Sequence, residues 1–279
     1  MFNTAPTLRS AAPRALKSTG AVAAAGALLL AAACAQADDI ATDRPDFVES
    51  SDVVGKGVFQ IETSFAYESD RNDGVRTRVR STPTLLRYGI SDTVELRAET
   101  DGYLHERVRA GGVSDTESGA ADASIGLKWH LQDGDAAGHR PALALLAHVD
   151  LESGSAAFRA PAEVPSLRVV AEWELPGDAA FGVMGGAAYD KDELRDDRYW
   201  SGILAATYSR PLIGALRGFV EVAGQALRGE RRGGDVVTFD TGVTYALSSD
   251  TLVDLSVNLG LNEHTPDRAI GIGFSHRFR

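Results

Sequence analysis

The chain has 279 residues, with 28 Lys+Arg against 39 Asp+Glu, a formal net charge of −11 and one cysteine. That acidic balance argues against nucleic acid, which wants a partner of the opposite sign. A single cysteine, Cys34, leaves no intrachain disulfide to form, and no stretch of eighteen apolar residues follows residue 37 to make a helical span.

Residues 1–37 read as an export signal. Arg9, Arg14 and Lys17 form a positive n-region, Ala21 to Ala33 an apolar stretch around Leu28-Leu29-Leu30, and Ala35-Gln36-Ala37 a small-residue cleavage site. The apolar stretch is too short for a membrane anchor, which needs about 20 residues. Cleavage after Ala37 leaves 242 residues, with 25 Lys+Arg against 39 Asp+Glu and no cysteine. Lipidation of Cys34 is the competing reading, weakened because the leucine wanted three positions upstream is displaced to Leu30. Residues 38–56 follow as a polar periplasmic leader, and their composition leaves open whether they enter a lumen.

From Gly57 onward one unit repeats: about ten residues alternating apolar and polar, then a turn. Twelve strands are predicted, at 58–67, 76–88, 93–100, 121–131, 142–151, 167–175, 181–189, 199–209, 216–225, 236–247, 252–261 and 269–278. The first sets Phe59, Ile61, Phe65 and Tyr67 against Gln60, Glu62 and Ser64; the eleventh sets Val253, Leu255, Val257 and Leu259 against Asp254, Ser256 and Asn258. The second carries Pro83, which removes a ladder donor, and the eighth and ninth have an ambiguous phase. Tight turns at 89–92, 176–178, 211–215 and 248–250 alternate with longer charged loops at 101–119, 152–165, 190–198, 226–234 and 262–268. The 132–139 connection is intermediate.

Period-two alternation puts each strand's apolar side chains on one face. Twelve such strands, each with a polar opposite face, imply two solvents. A closed antiparallel β-barrel of about twelve strands over 57–279, in an outer membrane, meets that requirement with lipid outside and polar groups inside. Short turns on one rim, long loops on the other and an even strand count agree. Tyr67, Trp129, Trp173, Tyr189, Tyr199, Trp200, Tyr208, Tyr245 and Phe278 near strand ends suit the membrane interface. The alternative is a soluble periplasmic β-protein.

Three segments carry a resemblance. Asp43-Arg44-Pro45-Asp46-Phe47, Gly57 to Glu62, and Leu86-Arg87-Tyr88-Gly89-Ile90-Ser91-Asp92 running on to Arg97 resemble the proteobacterial outer-membrane family named for the meta-pathway of phenol degradation, also labelled transporter. Leu255 to Asn262 fits it too. The resemblance implies a channel-like protein taking up aromatic or other apolar compounds. It implies no catalytic residue and no cofactor.

The inward positions hold whatever chemistry there is. Arg76, Arg78 and Arg80 in the second strand, Glu95, Arg97 and Glu99 in the third, Asp122 and Lys128 in the fourth, and Arg168 and Glu172 in the sixth are the lumen candidates. They form either a charged constriction that selects solutes or cross-strand pairs that fill a narrow lumen. On the first reading, charge reversal at Arg78 and Arg80 shifts ion selectivity. A barrel hydrolase would draw on His148 with Asp150 and Ser153, or His130 with Ser124 and Asp122, but neither group has a specific spacing. Asp190 to Arg198 reads as a salt-bridged loop rather than a cation site, and Arg228 to Gly234 as a flexible loop or a contact for lipopolysaccharide phosphates. The expected partners are membrane lipid, a small solute, and the barrel-assembly machinery through the strand ending at Phe278. A passive uptake channel, not an enzyme, is the reading; a structural or adhesive barrel is the rival.

Overall fold

A computed structural model describes residues 40–192, 195–227 and 234–279. The expected signal segment, Cys34 and the loop at Arg228 to Gly233 lie outside the described residues.

Fifteen strand segments form twelve staves. The staves are β1 (Phe59–Asn72), β2 with β3 (Val75–Ser81, Thr84–Gly89), β4 with β5 (Val94–Thr100, Tyr103–Ala110) and β6 with β7 (Val113–Ala120, Ala123–Gln132). There follow β8 (Ala142–Asp150), β9 (Val164–Leu175), β10 (Ala179–Asp192), β11 (Asp197–Ile213), β12 (Leu216–Leu227), β13 (Val236–Ser248), β14 (Thr251–Gly260) and β15 (Arg268–Phe278). Every neighbouring pair is antiparallel, and β15 closes onto β1 with Phe59 opposite Phe278. Their rings lie 5.8 Å apart, so an aromatic pair marks the seam. Closure leaves no unpaired edge, as a spanning structure requires where no water can satisfy the backbone.

Alternation settles the faces. Gln60, Glu62, Arg87, Glu95 and Lys128 are fully buried, whereas Phe65, Ile125, Leu204 and Ile272 are 54–63% exposed. An apolar surface around the whole cylinder is compatible with hydrocarbon and not with water. The ambiguous phase of β11 and β12 has a physical origin. Their inward positions Ile203, Ala205, Phe219 and Ala223 are apolar too, so both faces look alike in sequence.

The long-loop rim differs from expectation. The segment at 101–119 is a projecting hairpin of β5 and β6, turned at Gly111-Gly112, where φ values of 55° and 86° call for glycine. Below it lies a kink: residues 101–102 and 121–122 fall outside the ladder, and the pairing of the β4–β5 stave with its neighbour shifts by one residue. An extra residue exchanges the faces of a strand. Odd residues therefore point inward along β4 and outward along β5.

Pro83 interrupts the second stave without changing its register: β2 and β3 pair with β1 in one continuous frame. Even residues consequently face out along the whole stave, with Tyr88 exposed and Arg87 buried. Arg76, Arg78 and Arg80 share the parity of Leu86 and Tyr88. They face outward, a correction to their expected place in the lumen.

Candidate functional site: a plugged lumen

The leader, Ile40 to Lys56, has no helix or strand and runs inside the barrel. Backbone without a ladder must still find partners once buried. The wall supplies them. Glu62 accepts from the amides of Asp43 and Arg44 at 2.9 and 3.0 Å, Glu221 from those of Phe47 and Val48 at 2.7 Å each, Glu172 from Ser51 at 2.5 Å, and Glu95 from Val54 at 2.9 Å. Wall cations and amides serve the carbonyls: Arg87 donates to Ala41 and Asp52, Lys128 to Ser50, and Gln60 to Ala41, all at 2.8–3.0 Å. Thus inward acids read amides and inward bases read carbonyls, holding an irregular segment in one path.

At the centre stands Asp43, 4% exposed. Lys128 Nζ donates to both its carboxylate oxygens at 2.7 Å, Arg97 bonds it directly, and Arg87 lies 3.5 Å away. Burial by itself would raise the Asp43 carboxyl. Arg87, Lys128 and Arg97 overrule it and hold the group well below the usual carboxylate range. Around this point Arg87 meets Glu95 at 2.8 Å and Glu62 at 3.0 Å, Arg97 meets Glu49 at 2.7 Å, and Arg168 meets Glu49 at 2.9 Å. Four cations face four carboxylates, Asp43, Glu49, Glu62 and Glu95, which is how charge is tolerated where water is scarce.

The opposite wall is apolar. Val48, with Phe47 packed beside it, joins a buried cluster of Leu146, Val170, Met184, Ile203, Ala205 and Ala223. Gly182 makes room for it: a Cβ there would lie 3.1 Å from Val48 Cγ1.

Above the plug, toward the long loops, lies a vestibule of about 460 Å³. Phe47, Leu85, Leu104 and Phe158 give it apolar surface, and Arg97, Glu99, Asp101 and Arg168 give it charge. Asp122 shapes the mouth by accepting from the amides of Gly154 and Ala160 at 2.6 Å each, which folds the β8–β9 loop inward.

Seven lumen candidates, Glu95, Arg97, Glu99, Asp122, Lys128, Arg168 and Glu172, lie inside the barrel or its mouth, whereas Arg76, Arg78 and Arg80 do not. The reading of single strands missed the plug's other anchors, Glu62, Arg87 and Glu221. Their signal was charge at inward positions flanked by outward-facing apolar residues, as in Leu86-Arg87-Tyr88.

Among the described residues neither nominated hydrolytic group is joined as a hydrogen-bonded set, and His148 Nδ1 lies 3.4 Å from Ser124 Oγ, a residue of the other group. His130 is engaged at both ring nitrogens, by the Ser51 carbonyl at 2.9 Å and Asp133 at 2.8 Å. Ser153 Oγ accepts from the Ala123 amide at 2.8 Å, and Asp122 is committed to the loop. In the 190–198 loop Lys191 pairs with Asp196 at 2.7 Å and Arg195 with Asp192 at 2.6 Å, so these two acids already have cations.

Comparison with known proteins agrees with the geometry. An outer-membrane channel from Pseudomonas putida F1 is similar at 13% identity, covering 84% of this chain and 99% of that one, with a TM-score of 0.56. The CymD monoaromatic hydrocarbon channel is similar at 12% identity over 80% of this chain and 88% of that one, with a TM-score of 0.42. No curated protein sequence matches. The fold is that of an outer-membrane barrel. A family model matches residues 42–278, from the leader that plugs the lumen to the aromatic that closes the seam, and the chain belongs to the family described as "Putative MetA-pathway of phenol degradation".

Proposed function

We propose that this protein is a passive channel of the outer membrane for small solutes with an aromatic or otherwise apolar body, and that its leader forms the constriction. The vestibule carries this reading. A cavity of about 460 Å³ is of ordinary size for a small ligand, and it combines apolar walls with a few convergent charged groups. Arg97, Glu99 and Arg168 set a local field in which a solute bearing one polar group would orient with its ring toward Phe47 and Phe158. The family's name is consistent with that solute class.

The lumen candidates fall into two roles on this reading. Glu95, Lys128 and Glu172 hold the leader, Glu99 and Asp122 present charge to the vestibule, and Arg97 and Arg168 do both. The first 37 residues are removed on export, and the strand ending at Phe278, half exposed at the seam, is the segment the assembly machinery engages. Catalysis has no part in the proposal.

Purified protein in liposomes tests it. Swelling in small aromatic solutes, faster than in sugars of equal size, is the expected result. Liposomes that stay sealed to both would favour the structural barrel. Sealed liposomes that open only when the leader is cut would identify the leader as a gate.

A further inference from the structure

We propose that the outward face of the β1–β2–β5 sheet, just above the apolar belt, is a binding site for the phosphate groups of outer-leaflet lipid. Arg76, Arg78 and Arg80 on β2 stand directly opposite Arg109, Arg107 and His105 on β5. Like charges in facing positions repel, so the arrangement is unfavourable for the hairpin alone and calls for an anionic partner. Among the described residues none of these five arginines is in an ion pair with a carboxylate. Arg107 donates to Ser114 at 2.9 Å, and His105 Nδ1 lies 2.7 Å from Ser118 Oγ, both short hydroxyl side chains.

The hairpin does contain acids, but on its other side. Glu106 stands opposite Glu117 across β5 and β6, on the face turned away from the arginines. Charge is thus sorted: acid toward the lumen axis, base toward the membrane. The kink at 101–102 produces the sorting, because without the phase change Arg107 and Arg109 would point the same way as Arg97.

Height matches as well. Tyr67 lies opposite Arg80 on one side and Ile270, 43% exposed, on the other. The arginine rows therefore begin where the apolar belt ends, at an aromatic of the interfacial kind. From Arg80 to Arg76 the strand runs roughly 13 Å along its own axis, which at the usual barrel tilt is enough to cross a head-group layer of about 5–8 Å. Tyr67, Arg78, Arg80, His105 and Arg107 enclose a depression of about 120 Å³ on this face. Guanidinium groups around a hollow of that size suit a phosphate, which arginine binds in bidentate fashion.

The test uses purified protein in detergent, titrated with diphosphorylated lipid A, with its dephosphorylated form and with inorganic phosphate. Diphosphorylated lipid A is expected to bind most tightly. The triple change Arg78→Gln, Arg80→Gln and Arg107→Gln is expected to weaken it by about tenfold or more, since three charge-assisted contacts are lost. Arg210→Gln, at the opposite rim, serves as control and leaves affinity unchanged. Equal binding of the dephosphorylated form, or an unchanged triple variant, would overturn the proposal; inorganic phosphate bound as tightly as the lipid would overturn the lipid assignment. Should the triple variant fail to fold, the parent decides: lipid binding that does not weaken with salt excludes an electrostatic site.

Discussion

Two groups of arginine on one stave have opposite fates. Arg87 is wholly buried among Glu95, Glu62 and Asp43, while Arg78 and Arg80, a few residues along the same strand, are exposed on the outer surface without a carboxylate partner among the described residues. Residue type is identical and the two segments of the stave share one register. Parity alone separates them, and parity decides which solvent and which partners each guanidinium meets. Inside, arginine is a tie that orders the leader; outside, it is an open cation at the edge of the bilayer.

The largest test of that contrast removes the inner tie. Arg87→Met leaves Glu62 and Glu95 with a buried charge no longer matched, and breaking such a network costs about 3–5 kcal/mol. The denaturant midpoint of the folded, heat-modifiable barrel is expected to fall accordingly, whereas Arg78→Met should leave it nearly unchanged. Equal midpoints would mean that the inner network contributes no more than a surface charge.

Next in size is an attack on the leader rather than the wall. Asp43→Asn removes the charge that gathers Lys128, Arg97 and Arg87, while the barrel ladder stays intact. The leader is expected to become sensitive to protease added from the periplasmic side, and conductance in planar bilayers to rise several-fold. Gly182→Leu should act more gently from the opposite wall. It displaces Val48 from its pocket, forfeiting about 1.5–3 kcal/mol of leader docking. Conductance should rise less than for Asp43→Asn, and an unchanged conductance would show that the apolar cluster does not hold the constriction.

How much of this was legible beforehand follows from the same physics. Strands with strict alternation, such as Leu252 to Leu261, reveal both faces because each face meets a different solvent. β11 and β12 hid theirs, since the inner residues Ile203, Ala205, Phe219 and Ala223 include those packed around Val48, a neighbour remote in the chain and part of no local pattern. The plug was invisible for a related reason: Asp43 to Val54 carries no periodicity, and its order comes mostly from side chains on distant strands, helped by the Asp43 carboxylate accepting from the Ser50 amide at 2.9 Å. Conversely, the outward aim of Arg76, Arg78 and Arg80 could have been read. They share the parity of Leu86 and Tyr88, and only doubt about the ladder across Pro83 obscured it.

The smallest expected effect is the sharpest on the comparison. Double reversal of Arg78→Glu and Arg80→Glu puts four units of charge difference on the hairpin, a change that would shift selectivity strongly if those side chains lined the conduction path. Facing outward and above the belt, they are separated from the lumen by the barrel wall, and salt screens what remains. The reversal potential in asymmetric salt is therefore expected not to move. Glu99→Arg, only half that change in charge but placed in the vestibule, should shift it toward anion selectivity. If instead the outer pair moved the reversal potential and Glu99→Arg did not, the strand parity assigned to the second stave would be inverted, and the lipid site would have to be abandoned with it.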